Sequence, residues 1–182
     1  MAAVGHAEMG TIMQLSRSLG AVSAALVLTA ALSQSAQARE MVGFTEAYSS
    51  GTIVVKTSER ALYYVLGNGS AVRYKVGVGR ASKQWTGTAR IDGKQLKPAW
   101  APPAEIRRDK PSLPAVIPGG SPTNPMGAAA MTLSGGEYAI HGTNQPGSIG
   151  GFVSYGCIRM YNEDVLDLYA RVSWGTPVVV LR

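Results

Sequence analysis

Asn68-Gly69 stands between two runs of β-branched and aromatic residues, Ala61-Leu62-Tyr63-Tyr64-Val65-Leu66 and Ala71-Val72-Arg73-Tyr74-Lys75-Val76-Gly77-Val78. A two-residue hairpin loop needs positive φ at its centre, which Asn and Gly tolerate, so this order predicts an antiparallel hairpin. Thr52–Lys56 reads as a strand before it, and Thr88–Ile91, Ala128–Leu133, Glu137–His141 and Pro177–Leu181 as later strands. Twenty-two glycines punctuate these short runs, and only 15% of the 182 residues are charged. The chain has room for one domain, and its composition excludes a helical bundle and a disordered polymer. Mostly β is the predicted class.

A single helix is predicted, from Asn162 to Val172 in the C-terminal region. Val165, Leu168, Tyr169 and Val172 recur at helical spacing, Asn162 is a candidate cap, Glu163 and Asp164 suit the positive N-terminus, and Gly175 follows the end. Such a stripe packs an amphipathic helix onto a sheet. Between Lys97 and Gly127 lie eight of the 10 prolines. Trp100, Ile106, Leu113, Val116 and Ile117 give this stretch apolar anchors, which predicts an ordered flap over the sheet rather than a solvated linker.

At the N-terminus, Arg17 precedes the uncharged run Leu19–Leu32, which is followed by the small and polar residues Ser33–Ala38. That order predicts a secretory signal over 1–38, cut after Ala38, with Met13 as an alternative start. The apolar run is shorter than the ~20 residues a bilayer requires, and no cysteine follows it, so no stable membrane anchor is expected. Residues 39–50 then read as a short linker and 51–182 as the folded domain. The chain carries 17 Lys+Arg against 11 Asp+Glu, a net charge of +6. The signal removes one basic and one acidic residue, Arg17 and Glu8, so the surplus belongs to the folded part. These charges are dispersed and the signal directs the chain out of the cytoplasm, which argues against nucleic acid and for an anionic envelope polymer.

Reactive side chains are scarce. Cys157 is the one cysteine, and His6 and His141 are the two histidines. An intrachain disulfide is therefore impossible, as is a metal site built mainly from Cys and His, and no cofactor is expected. Loss of the signal leaves one imidazole and one thiol, 16 residues apart across a Gly-rich loop. An unpaired thiol in an exported chain is either an inert buried residue or a nucleophile. Imidazole is the side chain suited to take a thiol proton near pH 7, but spacing alone leaves both a catalytic pair and coincidence open.

The words around these two residues go further. Ile140-His141-Gly142-Thr143, followed by Ser154-Tyr155-Gly156-Cys157-Ile158-Arg159-Met160, resembles the signature of the YkuD-type L,D-transpeptidases, with Tyr155 where that family usually has His. Trp85-Thr86-Gly87-Thr88 and Asn124-Pro125-Met126-Gly127 resemble two further family segments, in the family's order. The resemblance implies a β-sandwich-like catalytic domain acting on peptidoglycan stem peptides in the periplasm. Cys157 would attack the stem peptide and hold the acyl group as a thioester. An amine of a neighbouring stem would then receive it to form a 3→3 cross-link, or an outer-membrane protein or lipoprotein would be attached instead.

Carried over residue by residue, the resemblance makes Cys157 the nucleophile, His141 the base and the Gly142 carbonyl the group orienting the imidazole. The N–H groups of Tyr155, Gly156 and Cys157 would form the oxyanion hole, and Arg159 and Asn144 would bind substrate. Arg159 reads equally as a structural tie between loop and sheet. Trp85 and Trp100 read as packing anchors or as platforms for sugars. A phenol does not act as a base at pH 7, so Tyr155 alters the surroundings of the pair rather than the pair itself. That substitution leaves two other readings in play: an L,D-carboxypeptidase or cross-link hydrolase that uses water, and a non-catalytic cell-wall binding paralogue.

Overall fold

The computed structural model describes residues 39–182, so the expected signal, its cleavage after Ala38 and the alternative start Met13 lie outside the described residues. The described residues form eleven strands and two α-helices. These are β1 (Arg39–Gly43), β2 (Ile53–Lys56), β3 (Ala61–Gly67), β4 (Ser70–Lys75), β5 (Val78–Gly79), β6 (Gly87–Leu96), α1 (Ala104–Asp109), β7 (Ala129–Leu133), β8 (Ala139–His141), β9 (Phe152–Ser154), β10 (Ile158–Arg159), α2 (Asn162–Arg171) and β11 (Pro177–Leu181). Among them no helix is long and apolar enough to cross a membrane.

The predicted hairpin is β3–β4. Asn68 and Gly69 have φ of 53° and 70°, the two positive values that a type I′ loop demands, and Gly67 pairs with Ser70 across it. Nine strands form one sheet in the order β1-β4-β3-β2-β11-β6-β7-β8-β10, while β5 and β9 form a separate parallel pair. Strand β6 joins two halves of this sheet. Its start pairs with β11 and its end with β7, and the register shifts between Ile91 and Gly93. Ile53, Val55, Leu62 and Tyr74 from one half share a single apolar cluster with Met131, Leu133, Ile140 and Ile158 from the other, so the sheet wraps around a common core. The domain is mostly β, as expected, with few helices.

Helix α2 covers this core through Val165, Leu168 and Val172, with Tyr169 half-buried at the margin. Tyr74 reaches it from the sheet and donates a hydrogen bond to the Asp167 carboxylate. The periodicity therefore located the helix and its buried face. Asn162, however, does not cap it. Its amide is spent on other elements, as described below, and Tyr161 occupies the cap position without a side-chain bond.

Three further expectations need correction. Residues 39–50 are not simply a linker, because β1 adds an antiparallel edge to β4, with Arg39 opposite Tyr74 and Gly43 opposite Ser70. Phe44 is buried with Tyr63, Val54, Val65 and Ala71 in a second cluster on the outer sheet face, joined by half-buried Val42 and Tyr48. Apolar area on that face requires cover, and this segment supplies it. The flap is ordered but contains a helix, α1, that the proline content concealed. Its ends are tied by paired bonds between Trp100 and Ile117, N–H to carbonyl at 2.9 and 2.8 Å. Of its expected anchors Ile117 is buried, whereas Val116 is 54% exposed.

Asp164 on α2 is a liability within this frame. It is 1% exposed, among the described residues neither carboxylate oxygen has a hydrogen-bond partner, and Arg39 approaches only to 3.8 Å. Burial, and secondarily the neighbouring Glu163, push its pKa up to about 6. The native carboxyl thus holds its proton more tightly than the same group in the unfolded chain. Its contribution to stability falls as pH rises from about 4 to about 6 and is level above that. Asp164→Asn should therefore gain on the wild type through that window, reaching on the order of 1–2 kcal/mol at pH 7. Thermal melts of the two proteins at pH 4, 5, 6 and 7 check this, and a difference independent of pH would refute it.

Candidate active site

The site begins with a register. Strands β8 and β10 run parallel, with Ile158 opposite Ile140 and Arg159 opposite His141. Ile140 and Ile158 are 0% and 1% exposed and belong to the core. Side chains alternate across a strand, so burying these two isoleucines turns His141, Arg159 and, two residues before Arg159, Cys157 to the other face. All three line one cavity of ≈ 580 Å³. Trp100, Pro103 and Ile106 of the flap wall it on one side, and Glu137 and Tyr138 of the β7–β8 hairpin on another. That volume lies within the range of small-molecule and peptide side-chain sites.

His141 is buried, and its Nδ1 lies 2.6 Å from the Gly142 carbonyl oxygen. A carbonyl only accepts, so Nδ1 carries the proton and Nε2 keeps its lone pair. Burial lowers the imidazole pKa to about 4, the charge of Arg159 adds to this, and the carbonyls of Gly142 and Pro125 oppose it. Burial pushes the Cys157 thiol up, against the opposing pull of the Ala139 backbone and Arg159. At neutral pH the thiol and the imidazole that line this cavity are thus both uncharged at rest.

Asn162 holds the Gly142 carbonyl in place. Its Oδ1 accepts from the N–H groups of Ala128 and Thr143, both at 3.0 Å, and its Nδ2 donates to the Thr143 carbonyl at 3.0 Å. One amide therefore ties the start of β7, the end of β8 and the first turn of α2. The turn admits it because position 142 is glycine: a Cβ there would lie 2.3 Å from Asn162 Oδ1. Upstream, Asn124 knots the flap in a similar way, donating to the carbonyls of Pro98, Ile117 and Pro118 and accepting from the Met126 N–H.

The loop before the cysteine is closed by Ser154. Its Oγ accepts from the Gly156 N–H at 3.1 Å and donates to the Cys157 carbonyl at 2.6 Å. This corrects one expectation: the Gly156 N–H is occupied, which leaves Tyr155 and Cys157 as the available donors of the three. Gly156 has φ +124°, and a Cβ there would meet the Tyr138 ring at 2.3 Å, so both conformation and space demand glycine.

Arg159 donates to Ser148 Oγ at 3.1 Å, and its buried Nε has no partner among the described residues. Among the described residues no carboxylate pairs with it, so a half-buried cation stands in the cavity near the thiol. Asn144 is not brought to the site. It is exposed, binds the Pro122 carbonyl at 3.3 Å and is not among the residues lining the cavity. Tyr155 does line the cavity, but its phenol turns to the flap, donating to Asp109 of α1 at 2.6 Å with the Arg80 guanidinium 4.0 Å over its ring. Arg80 also pairs with Asp109, and Lys83 with Glu105, so α1 is pinned across the cavity by the segment after β5. Asp109 carried no sequence signal beyond its residue type, Ser154 stood in the family signature with no role assigned to it, and Asn162 carried a signal that pointed to a helix cap.

A half-buried thiol and a buried imidazole, with tautomer set by a backbone carbonyl and a two-donor loop alongside, make up a cysteine–histidine site on a mostly β scaffold. Residues 50–180 match the YkuD family, the L,D-transpeptidase catalytic domain, and the chain belongs to that family. Probable L,D-transpeptidase YbiS of Escherichia coli K12 is 40% identical over 135 residues, covering 69% of this chain and 43% of that protein. The chain thus spans less than half the length of that relative. A solved structure described as an L,D-transpeptidase from Mycobacterium smegmatis superposes with a TM-score of 0.58 at 19% identity, covering 72% of this chain and 58% of that one. Another, described as a probable carnitine operon oxidoreductase from Brucella melitensis, is 42% identical with a TM-score of 0.52, covering 79% of this chain and 92% of that one.

The raised thiol pKa gives a direct test of the resting state. Alkylation of Cys157 by iodoacetamide should be slower at pH 7 than that of N-acetylcysteine, and should still be rising with pH above 9. A plateau at neutral pH would instead reveal a thiolate–imidazolium pair.

Proposed function

We propose that this domain is a peptidoglycan L,D-transpeptidase that works through a Cys157 thioester. The observation that supports it most is the lining of one cavity by Cys157, His141 and Arg159, which pairs with no carboxylate among the described residues, with His141 Nδ1 bonded to the Gly142 carbonyl. His141 Nε2 takes the thiol proton as sulfur bonds to the carbonyl carbon that precedes D-Ala in a tetrapeptide stem. The C–N bond then breaks, and the imidazolium returns the proton to the leaving D-Ala amine. In the second half, an amine of a neighbouring stem attacks the thioester, loses its proton to His141, and the thiolate leaves and is reprotonated. Neutral His141 suits both halves, since it must accept a proton first each time.

Tyr155 and Cys157 N–H groups stabilise the oxyanion, each donor of this kind contributing roughly 3 kcal/mol in the transition state. Arg159 is matched to a stem carboxylate by a charge-assisted bond. The 3→3 cross-link is the product that follows from a stem amine as acceptor, and a protein amine in the envelope is the alternative acceptor. Net charge +6 suits a periplasmic enzyme that works along an anionic polymer.

Incubation with a tetrapeptide muropeptide should release D-Ala and leave an acyl mass on the protein, and Cys157→Ser should show neither. No release and no adduct with the wild type would overturn the proposal. Product masses separate transfer to an amine from transfer to water. Because His141 stays neutral down to about pH 4, the rate of D-Ala release should be level from pH 8 to 6 and fall below pH 5. A rate that instead halves between pH 7 and 6 would require a different base.

A further inference from the structure

Trp85, which does not line the cavity, makes two contacts that packing alone does not require. Its ring stacks on Tyr138, with centroids 5.1 Å apart and planes within 9°, and its Nε1–H donates to the Gly156 carbonyl at 2.9 Å. Tyr138 and Cys157 line the cavity, while Trp85 is not among the lining residues. In a trans peptide the carbonyl and the following N–H point in opposite directions. A Gly156 carbonyl turned toward Trp85 therefore turns the N–H of the cavity-lining Cys157 away from Trp85.

Ser154 holds the neighbouring polar backbone groups of this turn, taking the Gly156 N–H and the Cys157 carbonyl. Among the described residues, the Gly156–Cys157 peptide unit has no tie except the indole. Gly156 itself resists rotation weakly, since glycine is free in φ, so an external hold is needed if this N–H is to be preorganised. We propose that Trp85 is a positioning residue that aims the Cys157 N–H as an oxyanion donor, through its hydrogen bond to the Gly156 carbonyl. The inference rests on the acyl-transfer reading above. It concerns only the stabilisation of a tetrahedral oxyanion, and leaves the nucleophilicity of the thiol to His141.

That separation supplies the test. Acylation of Cys157 by p-nitrophenyl acetate passes through an oxyanion, whereas alkylation by iodoacetamide does not. Trp85→Phe keeps a ring on Tyr138 and removes only the N–H. In the full chain this variant should be acylated about 10–100-fold more slowly, the usual cost of losing a supporting hydrogen bond at a site. Its alkylation rate should stay within twofold of wild type, and D-Ala release should lose kcat with KM unchanged. Replacing Trp85 with β-(3-benzothienyl)alanine, which has the shape of Trp without the N–H, should give the same selective loss if Trp85→Phe melts early. Acylation within twofold of wild type, or acylation and alkylation falling together, overturns the inference. A wild type that releases no D-Ala, while Trp85→Phe still loses ester acylation selectively, overturns the proposed function and leaves the role of Trp85 standing.

Discussion

The burial of Ile140 and Ile158 is the constraint on which the site depends. Both side chains are closed into the core, and they are neighbours across the β8–β10 ladder. Since alternate residues of a strand face opposite ways, core formation by itself delivers His141, Cys157 and Arg159 to one surface in register. A slip of one residue would turn the imidazole and guanidinium into the apolar core and the two isoleucines toward the cavity. Hydrophobic burial, the dominant driving force of folding, therefore also assembles the chemistry.

Around that pair the supporting bonds come from backbone and from amides rather than from a carboxylate triad. The Gly142 carbonyl fixes the tautomer of His141, and Asn162 fixes Gly142 by gripping three backbone groups of two residues, Ala128 and Thr143. Glycine at 142 and 156 is required by close approach, to the Asn162 amide in one case and to the Tyr138 ring in the other. The electrostatics follow from this. Burial, with Arg159 adding to it, keeps the imidazole neutral, and burial keeps the thiol protonated against the pull of Arg159. In the proposed acyl transfer, reactivity would then be generated on approach of the acyl group rather than stored as a resting thiolate.

The departure at Tyr155 takes on a structural meaning. Its ring lies under Arg80 and its phenol binds Asp109, so the residue next to Gly156 is joined to the flap helix instead of contributing a second imidazole. The Pro-rich stretch thereby becomes a wall of the cavity, secured at one end by Asn124 and at the other by exposed ion pairs whose individual contributions are small.

Local patterns were legible in the chain because their causes are local. Asn68-Gly69 adopts the turn its φ preferences require, the 3.6-residue stripe of α2 lies on the core, and the scarcity of thiols and imidazoles leaves Cys157 and His141 as the candidates for a pair. The motif words placed both in a known family, which the match over residues 50–180 bears out. Other features were set by partners distant in sequence. Asn162 reads as a cap until Ala128 and Thr143 are seen to compete for its amide, and residues 39–43 read as a linker until β4 offers an open edge. Asn144 reads as a ligand until its loop turns it outward, and Trp85 reads as a packing anchor until the Gly156 carbonyl lies 2.9 Å from its indole nitrogen. Backbone geometry and periodicity are carried by neighbouring residues, whereas the direction of a side chain's hydrogen bond depends on what the folded sheet brings beside it, and no window of sequence contains that.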